Sequence, residues 1–158
     1  MQLLLVVLAI DAVALASFAL SERRVVYSRS VPELLAEPRS FRRSALRVGG
    51  LLVRGSLYRV KDVCEFRFGL AAYGDPRTLE VRYAIDEGTL LTRDCVLPDT
   101  FCDAPGFELT ATVEGTLERD SRGGHYFAAT QIMAKCPSKY ELRERHEWPR
   151  CPPIPVRG

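Results

Sequence analysis

Cys136 and Tyr140 are the residues of this chain whose types and spacing suggest a specific chemistry. They lie in the segment Lys-Cys-Pro-Ser-Lys-Tyr, in which Cys136 stands between Lys135 and Lys139. Neighbouring ammonium groups stabilise a thiolate, which is the reactive form of cysteine. If Pro137 begins a helical turn, Cys136 and Tyr140 project from one side, about one 5.4 Å pitch apart.

Two side chains in this arrangement would hold one flat ligand at two points. The thiol would add to a substituent at the edge of the ligand, and the phenolate would coordinate a central ferric ion, as tyrosinate does in some haem proteins. The spacing alone is weak support, because Cys-x-x-x-Tyr often arises by chance. The alternative is a loose tail in which Cys136 is oxidised to Cys151.

The rest of the sequence offers little other chemistry. None of the five cysteines form a Cys-x-x-Cys pair, which excludes zinc ribbons, thioredoxin-like redox sites and the usual haem-attachment signature of c-type cytochromes. There are two histidines, no glycine-rich phosphate loop and no Ser/His/Asp grouping. A hydrolase or a nucleotide-binding enzyme is therefore not expected. Cys64 is predicted to be a small core residue, and Cys95 and Cys102, which flank the Leu-Pro-Asp turn, could form a local disulfide.

Composition fits one ordinary domain with a short appendage. The chain has 158 residues, 47% of them hydrophobic and 27% charged, and a net charge of +2, which argues against a dedicated DNA-binding protein. The charge is uneven, since residues 21–60 carry nine arginines against three glutamates. Anionic lipid headgroups and ligand carboxylates are plausible partners for this segment, and a solvated linker is an equally good reading.

The first twenty residues are almost uniformly apolar. Met1–Leu20 as a helix would span about 30 Å, the thickness of the hydrocarbon core of a bilayer. A retained transmembrane anchor is the favoured interpretation, because a basic leader is lacking. A cleavable signal peptide ending near Ala14-Leu15-Ala16 and a buried soluble helix around Asp11 are the alternatives. Arg23 and Arg24 would by themselves favour a cytoplasmic carboxyl side.

The remaining chain reads as a connector, a small β domain and a tail. The connector, 21–44, contains one predicted helical turn at Val31-Pro-Glu-Leu-Leu-Ala, with Pro32 at a tolerated first position. From residue 45 to 135, alternating apolar and polar residues predict five short antiparallel strands, the first interrupted by glycines that suggest a bend. This pattern predicts an all-β fold, a five-stranded barrel of the OB type. Residues 136–158, rich in proline, are predicted to be a flexible C-terminal tail.

The order of the segments resembles cytochrome c maturation protein E over roughly residues 25–140. That family consists of membrane-anchored periplasmic haem chaperones with an OB-fold domain. The similarity is carried by the apolar anchor, the connector, and the following motifs: Leu46-Arg-Val-Gly-Gly-Leu-Leu-Val-Arg-Gly-Ser56, Leu79-Glu-Val-Arg-Tyr83, Leu97-Pro-Asp-Thr-Phe101, Val113-Glu-Gly-Thr-Leu117 and Phe127–Lys135.

The resemblance implies roles for the two residues considered first. Most members carry His-x-x-x-Tyr after the last strand, and this chain resembles the Cys-x-x-x-Tyr variant. By resemblance, Cys136 would hold haem b covalently and transiently, and Tyr140 would be an axial ligand of the iron. Haem would come from an ABC-type export complex and pass to apocytochrome c at a haem lyase. The protein would be a carrier, not an enzyme, anchored once in the inner (plasma) membrane with its domain in the periplasm, and Lys135 or Lys139 would pair with the haem propionates.

This chain departs from the family pattern at three places. An insertion at about Ala84–Arg93 precedes the Leu-Pro-Asp turn, Cys95 stands where glycine is usual, and Cys151 is available to trap Cys136 as a disulfide.

A different class of function stays open as the alternative, an anchored OB module that binds oligonucleotide or oligosaccharide. It requires aromatic residues such as Tyr58, Phe68 or Tyr83 on an exposed face with basic neighbours. The alternation places Phe68 and Tyr83 in the core instead, so no nucleic acid is expected as a partner. A purely structural anchor would explain neither Cys136 nor Tyr140.

Overall fold

The structure is a computed structural model that describes residues 27–42, 44–85, 95–98, 100–105, 108–134 and 151–158. The predicted anchor at residues 1–20 and the pair Cys136 and Tyr140 lie outside these residues. Among the helices of the described part, none has the length and apolar character needed to cross a bilayer.

The described part of the chain is an eight-stranded sheet with a single short helix. The helix α1 spans Val31–Ala36. The strands are β1 (Tyr27–Ser30), β2 (Leu46–Leu52), β3 (Tyr58–Val60), β4 (Glu65–Ala71), β5 (Thr78–Ala84), β6 (Thr110–Arg119), β7 (His125–Ala134) and β8 (Val156–Arg157).

Five of these strands close into a barrel, which confirms the predicted all-β fold. The hydrogen-bonded order is β2-β6-β7-β5-β4, and a further pairing of β2 with β4 completes the ring. The prediction of antiparallel strands was wrong for one pair, because β5 and β7 run parallel. Since an even number of antiparallel steps is needed to return to the starting strand, a ring of five strands must contain a parallel pairing.

Alternation along the strands builds the barrel core. In β4, Phe66, Phe68 and Leu70 are at most 2% exposed, while the neighbouring Glu65 and Arg67 are only partly buried. Leu79 and Val81 of β5 are fully buried in the same way. No polar or charged residue among the described positions is buried, so the interior is held by apolar contacts.

Two glycines allow the ring to close. Gly50 lies where β2 passes from its pairing with β6 to its pairing with β4, and a Cβ there would come within 2.9 Å of the carbonyl oxygen of Ala71. Gly115 lies at a β-bulge between β6 and β7, where a Cβ would overlap the carbonyl group of Ala128. Side chains at these crossings would force the strands apart, while the bend predicted for the first barrel strand stays a prediction.

Part of the predicted connector is integrated into the domain. β1 pairs in parallel with β2, and α1 follows it as the sequence predicted, with Pro32 in its first turn. Val31 and Leu34 are fully buried against the barrel, and the backbone N–H of Ser30 donates to Glu33 at 3.0 Å. The apolar side of this one turn therefore extends the core outside the ring.

The prediction of a flexible tail is wrong for residues 151–158. β8 pairs in parallel with β3, with hydrogen bonds of 2.9 Å from the Arg59 N–H to the Pro155 carbonyl and 2.8 Å from the Lys61 N–H to the Arg157 carbonyl. The Arg157 guanidinium lies 4.7 Å from the centre of the Tyr58 ring. The prolines exclude a long helix but leave Arg157 free to join a sheet edge.

The cysteine pairing also differs from the prediction. The bonds are Cys64–Cys95 and Cys102–Cys151, with Cα–Cα distances of 5.5 and 5.4 Å that suit a disulfide. The Cys95–Cys102 bond that the sequence left open does not form, and Cys64 is a bonded residue at the margin of the core. Proximity in sequence misled the prediction, because the fold brings the more distant cysteines together.

Replacing Gly115 by alanine should destabilise the barrel, since the backbone of Ala128 and Ala129 leaves no space for a methyl group. We expect the free energy of unfolding to fall by about 1–3 kcal/mol, as in other overpacked sites. Urea unfolding measures it. The matched control is Gly49→Ala in β2, where the nearest atom to a new Cβ is 3.9 Å away. Equal stability of the two variants would contradict the assignment of Gly115 as a closure position.

Removing the Cys102–Cys151 bond should also lower stability, because it closes a loop with a sequence separation of 49 residues. In a Cys136→Ser background, the further change Cys102→Ser with Cys151→Ser should reduce the free energy of unfolding by about 2–4 kcal/mol. Denaturant unfolding of the two proteins provides the comparison. A difference close to zero would mean that the C-terminal segment does not stabilise the fold.

Candidate functional site

Residues 135–150, which we call the candidate attachment segment, begin directly after β7, the last strand of the barrel. Ala134 ends β7 and pairs with Ala111 of β6, which is fully buried and lies opposite Gly50 of β2. The ladder continues with a 2.8 Å hydrogen bond from the Leu52 N–H to the Leu109 carbonyl. Three strands therefore hold the point from which the chain leads to Cys136.

The structure does not test whether the predicted site residues lie close to each other. Cys136 and Tyr140 lie outside the described residues, as do Lys135 and Lys139.

The two disulfides nevertheless limit the cysteines with which Cys136 could pair. The sequence has five cysteines, and the two bonds of the described residues use the other four. Cys151, considered above as a partner that would trap Cys136, is bonded to Cys102. The arrangement leaves no intrachain cysteine with which Cys136 could pair without breaking an existing bond.

The same bond anchors the far end of the attachment segment. Residues 135–150 run from the end of β7 to Cys151, which is covalently joined to Cys102. The sequence alone suggested a tail with one free end, whereas this segment is connected to the domain at both ends.

A hollow of about 450 Å³ lies where the C-terminal segment meets the barrel, and we call it the Arg59 hollow. Its walls include members of both disulfides. The described residues that line it are Arg59, Phe66, Cys95, Val96, Leu97, Pro98, Phe101, Cys102, Cys151, Pro152, Pro153, Ile154 and Val156. Phe66, Leu97 and Phe101 are at most 5% exposed, so the floor is part of the core.

A second hollow of about 440 Å³ shares the Pro152-Pro153-Ile154 wall, and we call it the Arg54 hollow. Arg54, Leu57 and Asp103 also line it. Sequence analysis missed both hollows, because each is formed by a tail predicted to be loose. The apolar residues Ile154 and Val156 among the prolines were the signal that could have indicated a docked tail.

On the outer strand face, which an oligonucleotide-binding module would use, the rings of Tyr58 and Tyr126 are each covered by an arginine. Arg82 lies 3.9 Å from the centre of the Tyr126 ring, and Arg157 lies over Tyr58. Phe68 is 2% exposed, and Tyr83 packs against the core, as the alternation predicted. Base stacking needs exposed rings, so this face offers few of the required contacts.

The arginines of that face are also paired with carboxylates. Arg67 donates to Glu65 at 2.5 Å, and this hydrogen bond raises the pKa of the Arg67 guanidinium. Burial lowers the pKa of Arg82, but hydrogen bonds and charges from Glu80 and Asp120 outweigh burial and raise it overall. These cations are therefore partly neutralised within the sheet, which reduces their attraction for a nucleic-acid backbone.

Within the parts of the chain that the structure describes, no cluster of three or more His, Cys, Asp or Glu residues is placed to hold a metal ion. A comparison with curated proteins finds no match.

A family model matches most of the chain. The model of the CcmE domain aligns with residues 25–143. The match begins just before β1, includes the whole five-stranded barrel, and extends past β7 through Cys136 and Tyr140. It therefore covers the scaffold together with the segment that sequence analysis singled out. Because the match spans well over half of the 158 residues, the chain belongs to the CcmE family.

Proposed function

We propose that this protein is a haem chaperone of cytochrome c maturation that carries haem on Cys136, with Tyr140 as an axial ligand of the iron. Membership of the CcmE family implies a role in cytochrome c maturation and haem handling. The single observation that carries the finer proposal is that the family match includes both residues, directly after the last barrel strand.

The proposed attachment is an addition of the Cys136 thiol across a vinyl group of haem b. The sulfur bonds to one vinyl carbon and the thiol proton is taken up by the other, so the step needs no oxidant and releases no fragment. The reverse elimination restores the thiol and the vinyl group, which makes transfer to apocytochrome c possible. Lys135 and Lys139 favour the thiolate that begins the addition.

The other four cysteines support this role for Cys136. Their pairing in two disulfides protects them from reacting with haem and leaves one thiol in the sequence for the proposed addition. The phenolate of Tyr140 would bind ferric iron, as tyrosinate does in other haem proteins. Lys135 and Lys139 also remain candidates for pairing with the propionates.

The proposed location is the periplasmic side of the inner (plasma) membrane, with Met1–Leu20 as a single-pass anchor in the lipid. Two disulfides favour an oxidising compartment, which outweighs the opposite orientation suggested by Arg23 and Arg24. The proposed partners are an ABC-type haem-export complex, a haem lyase and apocytochrome c. In this scheme the protein carries haem between them and is not an enzyme.

The replacement Cys136→Ala should abolish covalent attachment. The full chain is co-expressed with haem-supply machinery, and haem staining after denaturing electrophoresis measures the bound haem. We expect the stained band to disappear, because no other thiol is available for addition, while Ser138→Ala serves as the control from the same segment. Staining of the Cys136→Ala variant at the wild-type level would refute the covalent role.

The replacement Tyr140→Phe should leave the covalent attachment of haem intact but change the axial ligation of the iron. Loss of the phenolate removes an anionic axial ligand, so the visible absorption spectrum of the ferric haem should shift while the stained band persists. Tyr73→Phe is the matched control, because Tyr73 is 89% exposed in the turn between β4 and β5. An unchanged spectrum in Tyr140→Phe would exclude Tyr140 as the ligand.

A further inference from the structure

The Arg59 hollow combines an apolar floor with one charge. Its described lining contains a single charged side chain, that of Arg59 in β3. Buried Phe66, Leu97 and Phe101 form the floor, and the exposed side chains of Val96 and Val156 border it. Pockets for small ligands typically have this composition, with apolar walls and a few polar groups that fix orientation.

Arg59 of β3 differs from three arginines of the barrel strands, which have carboxylate partners. Arg47, Arg67 and Arg82 each form an ion pair with a carboxylate of the sheet. Within the described residues Arg59 forms no ion pair, although it is only partly exposed and its backbone N–H is bonded to Pro155. A partly desolvated guanidinium without a carboxylate partner is suited to bind the carboxylate of a ligand.

The size of the hollow limits how much of a ligand can enter. About 450 Å³ is at the lower part of the range for small-molecule pockets, roughly 300–1,000 Å³. The hollow would therefore admit one edge of a macrocycle. In addition, the segment that carries Cys136 and Tyr140 leads to Cys151 in the wall of this hollow.

We propose that the Arg59 hollow receives the carboxylate-bearing edge of a porphyrin, with Arg59 as the partner of a propionate. This inference rests on the proposed function, since it takes the cargo to be haem. It adds a third contact to the covalent bond and the axial ligand. Propionates lie on the edge of haem away from the vinyl groups, so the hollow would hold the opposite end of the molecule from Cys136.

The experiment measures binding of two porphyrins that cannot attach to a thiol. Iron(III) mesoporphyrin IX has ethyl groups in place of the vinyl groups, and its dimethyl ester lacks the two carboxylates as well. The full wild-type chain should bind the diacid about tenfold more tightly than the ester, as expected for one charge-assisted pair at a partly exposed site. In Arg59→Gln this preference should fall severalfold, to whatever part Lys135 or Lys139 contributes. Absorption titration gives both dissociation constants.

Two further variants separate a direct contact from a structural effect. Arg54→Gln, in the Arg54 hollow on the other side of the tail, should keep the full preference for the diacid. Arg59→Lys keeps the charge and should keep part of the preference. Equal preference in wild type and Arg59→Gln, or no preference in wild type, would overturn the inference. Neither result depends on Cys136, so failure here is distinguishable from failure of the covalent role.

Discussion

The pairing of β2 with both β6 and β4 is the constraint on which the rest of the molecule depends. The strand β2 pairs first with β6 and then with β4. Gly50 lies where the pairing changes, because the backbone of Ala71 approaches too closely for a side chain. Closure makes β5 and β7 parallel neighbours and places the end of β7 in a ladder of three strands. The chain that leads to Cys136 thus leaves from a position held by three hydrogen-bonded strands.

The sequence was sufficient to predict the strands of the barrel, because the alternation of apolar and polar residues is visible within each strand. Alternation along β4, β5, β6 and β7 identifies the inward side chains, and Val31-Pro-Glu-Leu-Leu-Ala identifies α1. The parallel pairing of β5 with β7 could not be read in this way, because alternation is the same in parallel and antiparallel strands. It follows from closure, which is a property of the whole ring.

Contacts between distant parts of the chain explain the other differences. Cys95 is seven residues from Cys102, yet its partner is Cys64, since the strands bring those backbones within 5.5 Å. The C-terminal segment contains two exposed β8 residues and many prolines, so its pattern resembles that of a loose tail. Its docking depends on the open edge of β3 and on Cys102. The Cys-x-x-x-Tyr pair is visible in the sequence, whereas the Arg59 hollow requires the folded chain.

The strand β8 has a consequence for a molecule whose disulfides are reduced. By lying along β3 it shields the N–H groups of Arg59 and Lys61, which would otherwise form an unpaired sheet edge. The bond from Cys151 to Cys102 holds that shield in place, and such bonds do not persist in a reducing cytosol. A molecule without this bond would be more prone to present the bare edge of β3 to other chains, which is a route to domain swapping and aggregation.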